Sequence, residues 1–291
     1  MHQPVLLNEV INYLNPNPGE NFIDCTVGAG GHSFAILEKN SPGKVLAIDW
    51  DKESLQLLKL KVNDRLTLVN NNFKNLKQIV KEYNFYPVNG ILFDLGLSSW
   101  QIEESGRGFS FKKDENLDMR FQPAGETVQE IINKWPEQSL MEVFWKYGEE
   151  RYGRRIAKRI VEERKRQSIK TTFELRKVIE QAVPVRLRQG YGGRRRIDRV
   201  LARIFQSLRI VVNDELENLK QGIEQAAEIL MPGGRLVVIS FHSLEDRIVK
   251  NFFKENKSLK TLIKKPIMAN EEEIKKNPRS RSAKLRAAIK L

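Results

Sequence analysis

Three aspartates each close a short apolar run: Asp24 after Phe22-Ile23, Asp49 after Val45-Leu46-Ala47-Ile48, and Asp94 after Gly90-Ile91-Leu92-Phe93. Carboxylates at strand ends can hydrogen-bond sugar hydroxyls, balance a cationic ligand or accept a proton. Between the first two lies Gly28-Ala29-Gly30-Gly31-His32-Ser33. Glycines there let backbone approach a nucleoside, and a helix beginning at Ser33 offers free N–H groups to it. A dinucleotide site needs G-x-G-x-x-G for its pyrophosphate. The pattern here is Asp24-x-x-x-Gly28-x-Gly30-Gly31, with no third glycine at that offset. An acid four residues before the first glycine suits a cationic nucleoside without phosphates, which is S-adenosylmethionine. Asp49 stands where a second-strand carboxylate holds ribose hydroxyls. Phe73, in the loop after the third strand, either stacks on adenine or plugs the core.

The elements that must position these residues alternate between strand and helix. Strands are expected at Phe22–Asp24, Lys44–Asp49, Leu66–Val69, Val88–Asp94 and Arg235–Phe241. Between them, helices are expected at Ser33–Lys39, Lys52–Val62 behind an Asp51 N-cap, and Leu76–Tyr83, after a short helix near the N-terminus. This is the pattern of an α/β fold with a parallel sheet. From Glu103 the pattern breaks. Thr127–Ile132, Ser139–Tyr147, Arg154–Arg166 and Thr172–Ala182 show apolar spacing at i, i+3 and i+4. A flexible basic loop, Arg186–Arg196, is expected next, then one long helix, Val200–Leu230, with Asp214 and Glu215 at its middle. Because strand character returns at Arg235, helices are inserted into one sheet: residues 1–103 and 214–291 form the core and 104–213 the insertion. The segment after Pro266 reads as an irregular basic tail.

The chain has 291 residues, 40% of them hydrophobic, enough to bury a large core. Its single cysteine, Cys25, excludes disulfides, and three histidines make a clustered zinc site a poor fit, so no metal is expected. With no signal-like stretch and no membrane-length apolar run, the expected location is the cytoplasm, away from membranes. The net charge of +13 is unevenly spread. Arg151–Arg209 carries 19 basic and 5 acidic residues, Lys275–Leu291 carries 7 and none, and the rest carries 24 and 32. A basic lobe and tail on an acidic body point to a polyanionic partner.

Several stretches together carry a family resemblance. They are His2-x-Pro4-Val5-Leu6-Leu7-x-Glu9-Val10, Gly28-x-Gly30-Gly31-His32-Ser33, Asp94-Leu95-Gly96-x-Ser98-Ser99-x-Gln101 and Arg107-Gly108-Phe109-Ser110-Phe111. Leu117-Asp118-Met119-Arg120, Phe205-Gln206-x-Leu208-Arg209-Ile210-x-Val212-Asn213, Ser240-Phe241-His242-Ser243-Leu244-Glu245-Asp246 and Arg281-Ser282-Ala283-Lys284-Leu285-Arg286 complete the set. With these motifs the chain resembles the bacterial ribosomal small subunit methyltransferase H family along its whole length. The resemblance implies a Rossmann-like class I S-adenosylmethionine-dependent methyltransferase sheet with an inserted all-helical domain. It implies methylation of N4 of a cytidine in the decoding centre of 16S rRNA, in or from the small ribosomal subunit. It also implies cofactor contacts from Gly30, Gly31, His32, Asp49, Phe73, Asp94 and Gln101. Two stretches depart from the family pattern, Asp198–Arg203 and Phe121, both on the RNA side.

Transfer to an exocyclic amine needs a group that orients the amine and takes its proton, because its lone pair is delocalised into the ring. Asp94, the Ser98/Ser99 loop and His242 are the candidates. Methylation at C5 would need a cysteine nucleophile, and Cys25 lies on the cofactor strand. On the RNA side, Arg120, Arg194, Arg195, Arg196 and Arg209 are expected to meet the RNA, and Tyr191 or Phe109 to stack on an unpaired base. The competing reading is a non-catalytic RNA-binding assembly factor with a vestigial cofactor loop. Oligomeric state stays open, a homodimer among the options.

Overall fold

Along β1 (Phe22–Asp24), β2 (Val45–Asp49), β3 (Leu66–Asn70), β4 (Val88–Asp94) and β5 (Leu230–Ser240) the strands are apolar on both faces. Such runs form where a sheet is covered on both sides. Alternate residues of one strand accordingly enter different cores: Ile23, Ile91, Phe93, Leu236 and Val238 join one cluster, Phe22, Leu92, Val237 and Ile239 the other. The computed structural model describes residues 4–185 and 192–291. Its seven-stranded sheet has the order β3-β2-β1-β4-β5-β7-β6. The first five strands pair in parallel, and β7 (Lys284–Lys290) runs antiparallel between β5 and β6 (Leu259–Thr261). The order reverses direction between β1 and β4, so the carboxyl ends of β1, β2 and β4 flank the topological switch point of the sheet.

The helices of this unit are α1 (Leu7–Leu14), α2 (Gly31–Lys39), α3 (Lys52–Gln56) and α4 (Leu76–Glu82), with three more after the insertion. Lys52–Val62 is not one helix. It stops at Gln56 and resumes as a 3₁₀ turn, Lys59–Lys61, because its two buried anchors, Leu55 and Leu58, lie three residues apart and are joined by a Leu58 N–H to Leu55 carbonyl bond.

The expected irregular tail is largely ordered. The helix α13 (Glu271–Lys276) leads through a 3₁₀ turn, Pro278–Ser282, into β7. There Leu285 and Ala287 enter one core and Ala288 the other, which a mixed Lys/Arg/Ala/Ile run does not advertise. Arg286, buried in β7, donates from Nε to Asp246 Oδ1 at 2.7 Å, and Lys284 Nζ lies 3.3 Å from Asp246 Oδ2. Burial pushes the Asp246 carboxyl up, yet Arg286 and then Lys284 outweigh it and hold it below the usual range.

Two compact units divide the chain: residues 1–98 with 216–291, and 99–215. The second contains α5 (Ser99–Glu103), α6 (Val128–Lys134), α7 (Glu137–Lys146), α8 (Gly153–Arg164), α9 (Thr172–Ala182) and α10 (Gly193–Asn213). Both α6 and α9 open on capping boxes, Thr127 with Glu130 and Thr171 with Glu174. On α10, Ile197, Leu201, Ile204 and Leu208 form the buried stripe, and Arg195, Arg199 and Arg203 lie on the exposed side.

The expected helix Val200–Leu230 is two helices. Asp214 adopts a left-handed backbone (φ 49), which ends α10, and α11 (Glu215–Ile229) starts afresh. Aspartate tolerates that conformation better than most residues. Arg209 closes the break with two bonds to Glu215, 2.7 Å from Nε and 3.0 Å from Nη2.

Candidate active site

Asp24 ends β1 and is buried. Its Oδ1 accepts from the Thr26 N–H (3.1 Å) and its Oδ2 from Ser33 Oγ (2.7 Å). Burial pushes its pKa up, with the Ser33 bond acting against that. Asp24 therefore ties the start of the loop to the first turn of α2. Thr26 reaches the neighbouring strand, its Oγ1 accepting the backbone N–H of Asp94 (2.7 Å). Asp49 ends β2 and holds the loop from the other side: Oδ2 accepts from Gly28 N–H (2.9 Å) and Oδ1 from Asp51 N–H (2.8 Å). Burial raises the Asp49 pKa to about 7 despite these two bonds.

The glycines answer to the chain itself. Gly28 (φ +48) and Gly30 (φ +82) are left-handed, and a Cβ on Gly30 would lie 2.7 Å from the Phe34 ring. A Cβ on Gly31 would lie 2.2 Å from Pro4 Cγ. Close packing by Pro4 and Phe34, rather than ligand approach alone, requires glycine at 30 and 31.

His32, in the first turn of α2, is 5% exposed, with Nε2 3.4 Å from Asp94 Oδ2. Burial pushes its pKa down, but Asp94, then Asp24 and Glu273, more than offset this and hold it above the ordinary value. Neither His32 nitrogen and not Asp94 Oδ1 has a well-formed hydrogen bond, although all three atoms are buried. Buried polar atoms left in this state mark a place for a ligand. After Asp94 the chain turns through Gly96 (φ +109), whose Cβ position lies 3.0 Å from the Phe241 ring, and brings Ser98 within 3.8 Å of the Cβ position of Gly28. The structure thus gathers Gly28, Gly30, Gly31, His32, Asp49, Asp94 and Ser98 at one edge of the sheet.

Two predicted residues serve other contacts. Phe73 is half-buried, packing edge-to-face on Phe93 (5.3 Å between centroids) and against Gly222, with part of its side chain left accessible. His242 is the N-cap of α12 (Ser243–Glu255): its Nδ1 faces the Glu245 N–H at 3.4 Å, and Glu245 Oε2 accepts from the N–H groups of Phe241 (2.8 Å) and His242 (3.2 Å).

A family model described as the MraW methylase family matches residues 1–291. Ribosomal RNA small subunit methyltransferase H of Thermomicrobium roseum is 45% identical over 313 residues, covering 100% of this chain and 94% of that protein. The protein of the same name from Thermotoga neapolitana is 45% identical over 293 residues, covering 99% and 95%. The chain belongs to the MraW methylase family. A solved putative rRNA-methylase from Clostridium thermocellum aligns over 100% of both chains at 14% identity with a TM-score of 0.47; the fold assignment rests on the sheet order instead. The family uses S-adenosylmethionine, and the residues present fit that group. Asp49 offers a carboxylate for the ribose hydroxyls, the Asp94 carboxylate suits a cation, and the unsatisfied atoms of His32 and Asp94 await partners.

The second unit changes the expectations for RNA. Phe109 is buried and stacks on Phe121 (5.6 Å, 18°), with the Arg107 guanidinium over its ring, so it is closed to a base in this state. Arg120 donates from Nε to Asp118 Oδ1 (2.6 Å) and from Nη2 to Oδ2 (3.0 Å), and from Nη1 to the carbonyls of Pro123 and Gly125. Arg209 is bound to Glu215 as described, so neither arginine is a free phosphate ligand. Arg194, Arg195 and Arg196 are exposed, in the first turn of α10 and not in a loop. Tyr191 lies outside the described residues, as does His2. Gln101 is buried in α5, its carbonyl accepting from Ser105 Oγ.

Sequence reasoning missed Thr26 and Asn213 as organisers. Thr26 follows a strand-end aspartate by two residues, the spacing of an Asx turn. Asn213 donates to the Met119 carbonyl (2.8 Å) and accepts from Phe121 N–H (2.8 Å), joining residues 94 and 92 positions apart in contacts that no local pattern signals. At Phe121 it is the backbone that Asn213 holds, and the departing side chain stacks on Phe109.

Proposed function

We propose that this protein methylates N4 of a cytidine in the decoding centre of 16S rRNA, using S-adenosylmethionine. The relatives named as ribosomal RNA small subunit methyltransferase H support the substrate class. The observation that carries the chemistry is the Asp94 carboxylate: it ends β4 at the switch point, and its buried Oδ1 has no hydrogen-bond partner.

When bound, S-adenosylmethionine supplies an electrophilic methyl group on a sulfonium. The chain must hold the amine in line and remove its proton. Asp94 does this through Oδ1, accepting one N4 proton, while His32 beside Oδ2 steadies the carboxylate and Thr26 Oγ1 fixes the Asp94 backbone. Ser98, next to the glycine loop, adds a hydroxyl at the same edge. His242 acts at one remove, by setting the start of α12. Asp49 binds rather than reacts, being anchored to Gly28 and placed for the ribose.

The RNA is met by the basic insertion, with Arg194–Arg196 at an exposed helix start supporting phosphate contact. Mass spectrometry of 16S rRNA nucleosides from a strain lacking the gene tests this. N4-methylcytidine is expected to fall, to return with the wild-type gene and to stay low with Asp94→Asn. An unchanged N4-methylcytidine level in the deletion strain refutes the assignment.

A further inference from the structure

Residues 4–6 and α13 meet beside the glycine loop. Glu273, in α13, accepts a 2.7 Å hydrogen bond at Oε1 from the backbone N–H of Leu6, 267 positions away. Glu273 is itself well placed, its N–H donating to the Asn270 side chain that caps α13.

Leu6 is unusual. Its side chain is 1% exposed, and its backbone is left-handed (φ 52), a conformation that a leucine keeps only where its surroundings enforce it. It sits at the N-cap of α1 with no side-chain cap, so the contact from Glu273 anchors the residue on which the helix begins. Two residues earlier, Pro4 lies directly on Gly31, the first residue of α2. Residues 4–6 thus form an arm resting on the start of α2. Glu273 also acts electrostatically on His32, one residue beyond Gly31.

We propose that Glu273 is a positioning residue for cofactor exchange: it latches residues 4–6 over the start of α2, and release of that latch governs entry and departure of S-adenosylmethionine and its demethylated product. The proposal rests on the assignment of the glycine loop as the cofactor pocket. The Leu6 N–H needs an acceptor at this distance, and the left-handed Leu6 backbone relaxes once that bond is broken, which makes the arm a two-position element.

The test uses the full chain with S-adenosylmethionine and S-adenosylhomocysteine as probes. Glu273→Ala removes the acceptor, whereas Glu273→Gln keeps a carbonyl oxygen at the same reach and removes only the charge facing His32. Dissociation rates are read by stopped-flow fluorescence, and amide exchange of residues 5–14 is read in the protein without cofactor. Glu273→Ala is expected to speed cofactor dissociation about tenfold and to hasten exchange at Leu6, with β4 and β5 amides unchanged. Glu273→Gln is expected to stay within about twofold of wild type. A Glu273→Ala protein with wild-type dissociation, or a Gln variant as impaired as the Ala variant, overturns the latch. A wild-type chain that binds neither probe overturns the pocket assignment and the latch with it.

Discussion

Replacing Asp49 by asparagine tests the cofactor pocket through its pH dependence. In the cofactor-free protein, burial raises this carboxyl to about 7, from an ordinary value of 3.8. Ribose hydroxyls donate best to the ionised form, so binding selects the anion and releases a proton. Roughly one molecule in eleven is ionised at pH 6 and ten in eleven at pH 8, so affinity should rise about tenfold across that interval, or about 1.4 kcal/mol. At pH 7 calorimetry in two buffers of different ionisation enthalpy should report about half a proton released per cofactor bound. The fold itself should respond with the opposite sign. A carboxyl whose folded pKa is raised stabilises the fold fully below its unfolded value and loses that contribution as pH climbs through about 7. The cofactor-free protein should therefore lose stability over the same range in which it gains affinity. In Asp49→Asn the affinity should be lower and its pH slope largely gone, any remainder belonging to His32 and Asp24. A tenfold rise that survives in Asp49→Asn, or wild-type affinity that falls from pH 6 to pH 8, refutes the reasoning.

Three further outcomes follow from particular contacts. Ser33→Ala removes the 2.7 Å bond to buried Asp24 and should cost about 1.5–3 kcal/mol, lowering the melting temperature by about 3 °C or more in calorimetry; a shift below about 1 °C would show that Asp24 is not held there. Cys25→Ala should keep turnover, because the thiol is buried and its pKa is pushed well above the ordinary range, leaving no thiolate to attack a base. Loss of turnover with intact cofactor binding would point to C5 chemistry instead. Changing Arg194, Arg195 and Arg196 together to alanine should flatten the log–log salt dependence of RNA affinity by about 2 to 3, measured by filter binding from low to moderate salt. An unchanged slope would move the phosphate contacts elsewhere on the insertion.

The sequence by itself determined the sheet and its acids. Apolar runs ending in Asp24, Asp49 and Asp94 specify strands that must be buried on both faces, and the helices between them make the strands parallel, which brings their closing carboxylates to one edge. The glycine pattern chose the cofactor class for a local reason, since left-handed turns and backbone approach are decided within a few residues. Only the tertiary structure decided which side chains at that edge are spoken for. Asp24 is consumed by Thr26 and Ser33, and Arg209 by Glu215, whereas Asp94 keeps an unsatisfied oxygen. These pairings are set by side-chain packing in the fold, so no apolar periodicity announces them. The same holds for β7, where Arg286 is buried only because Asp246 meets it, and for the arm held by Glu273. Propensity fixes what a segment is, and burial against a distant partner fixes which of its groups are left to do chemistry.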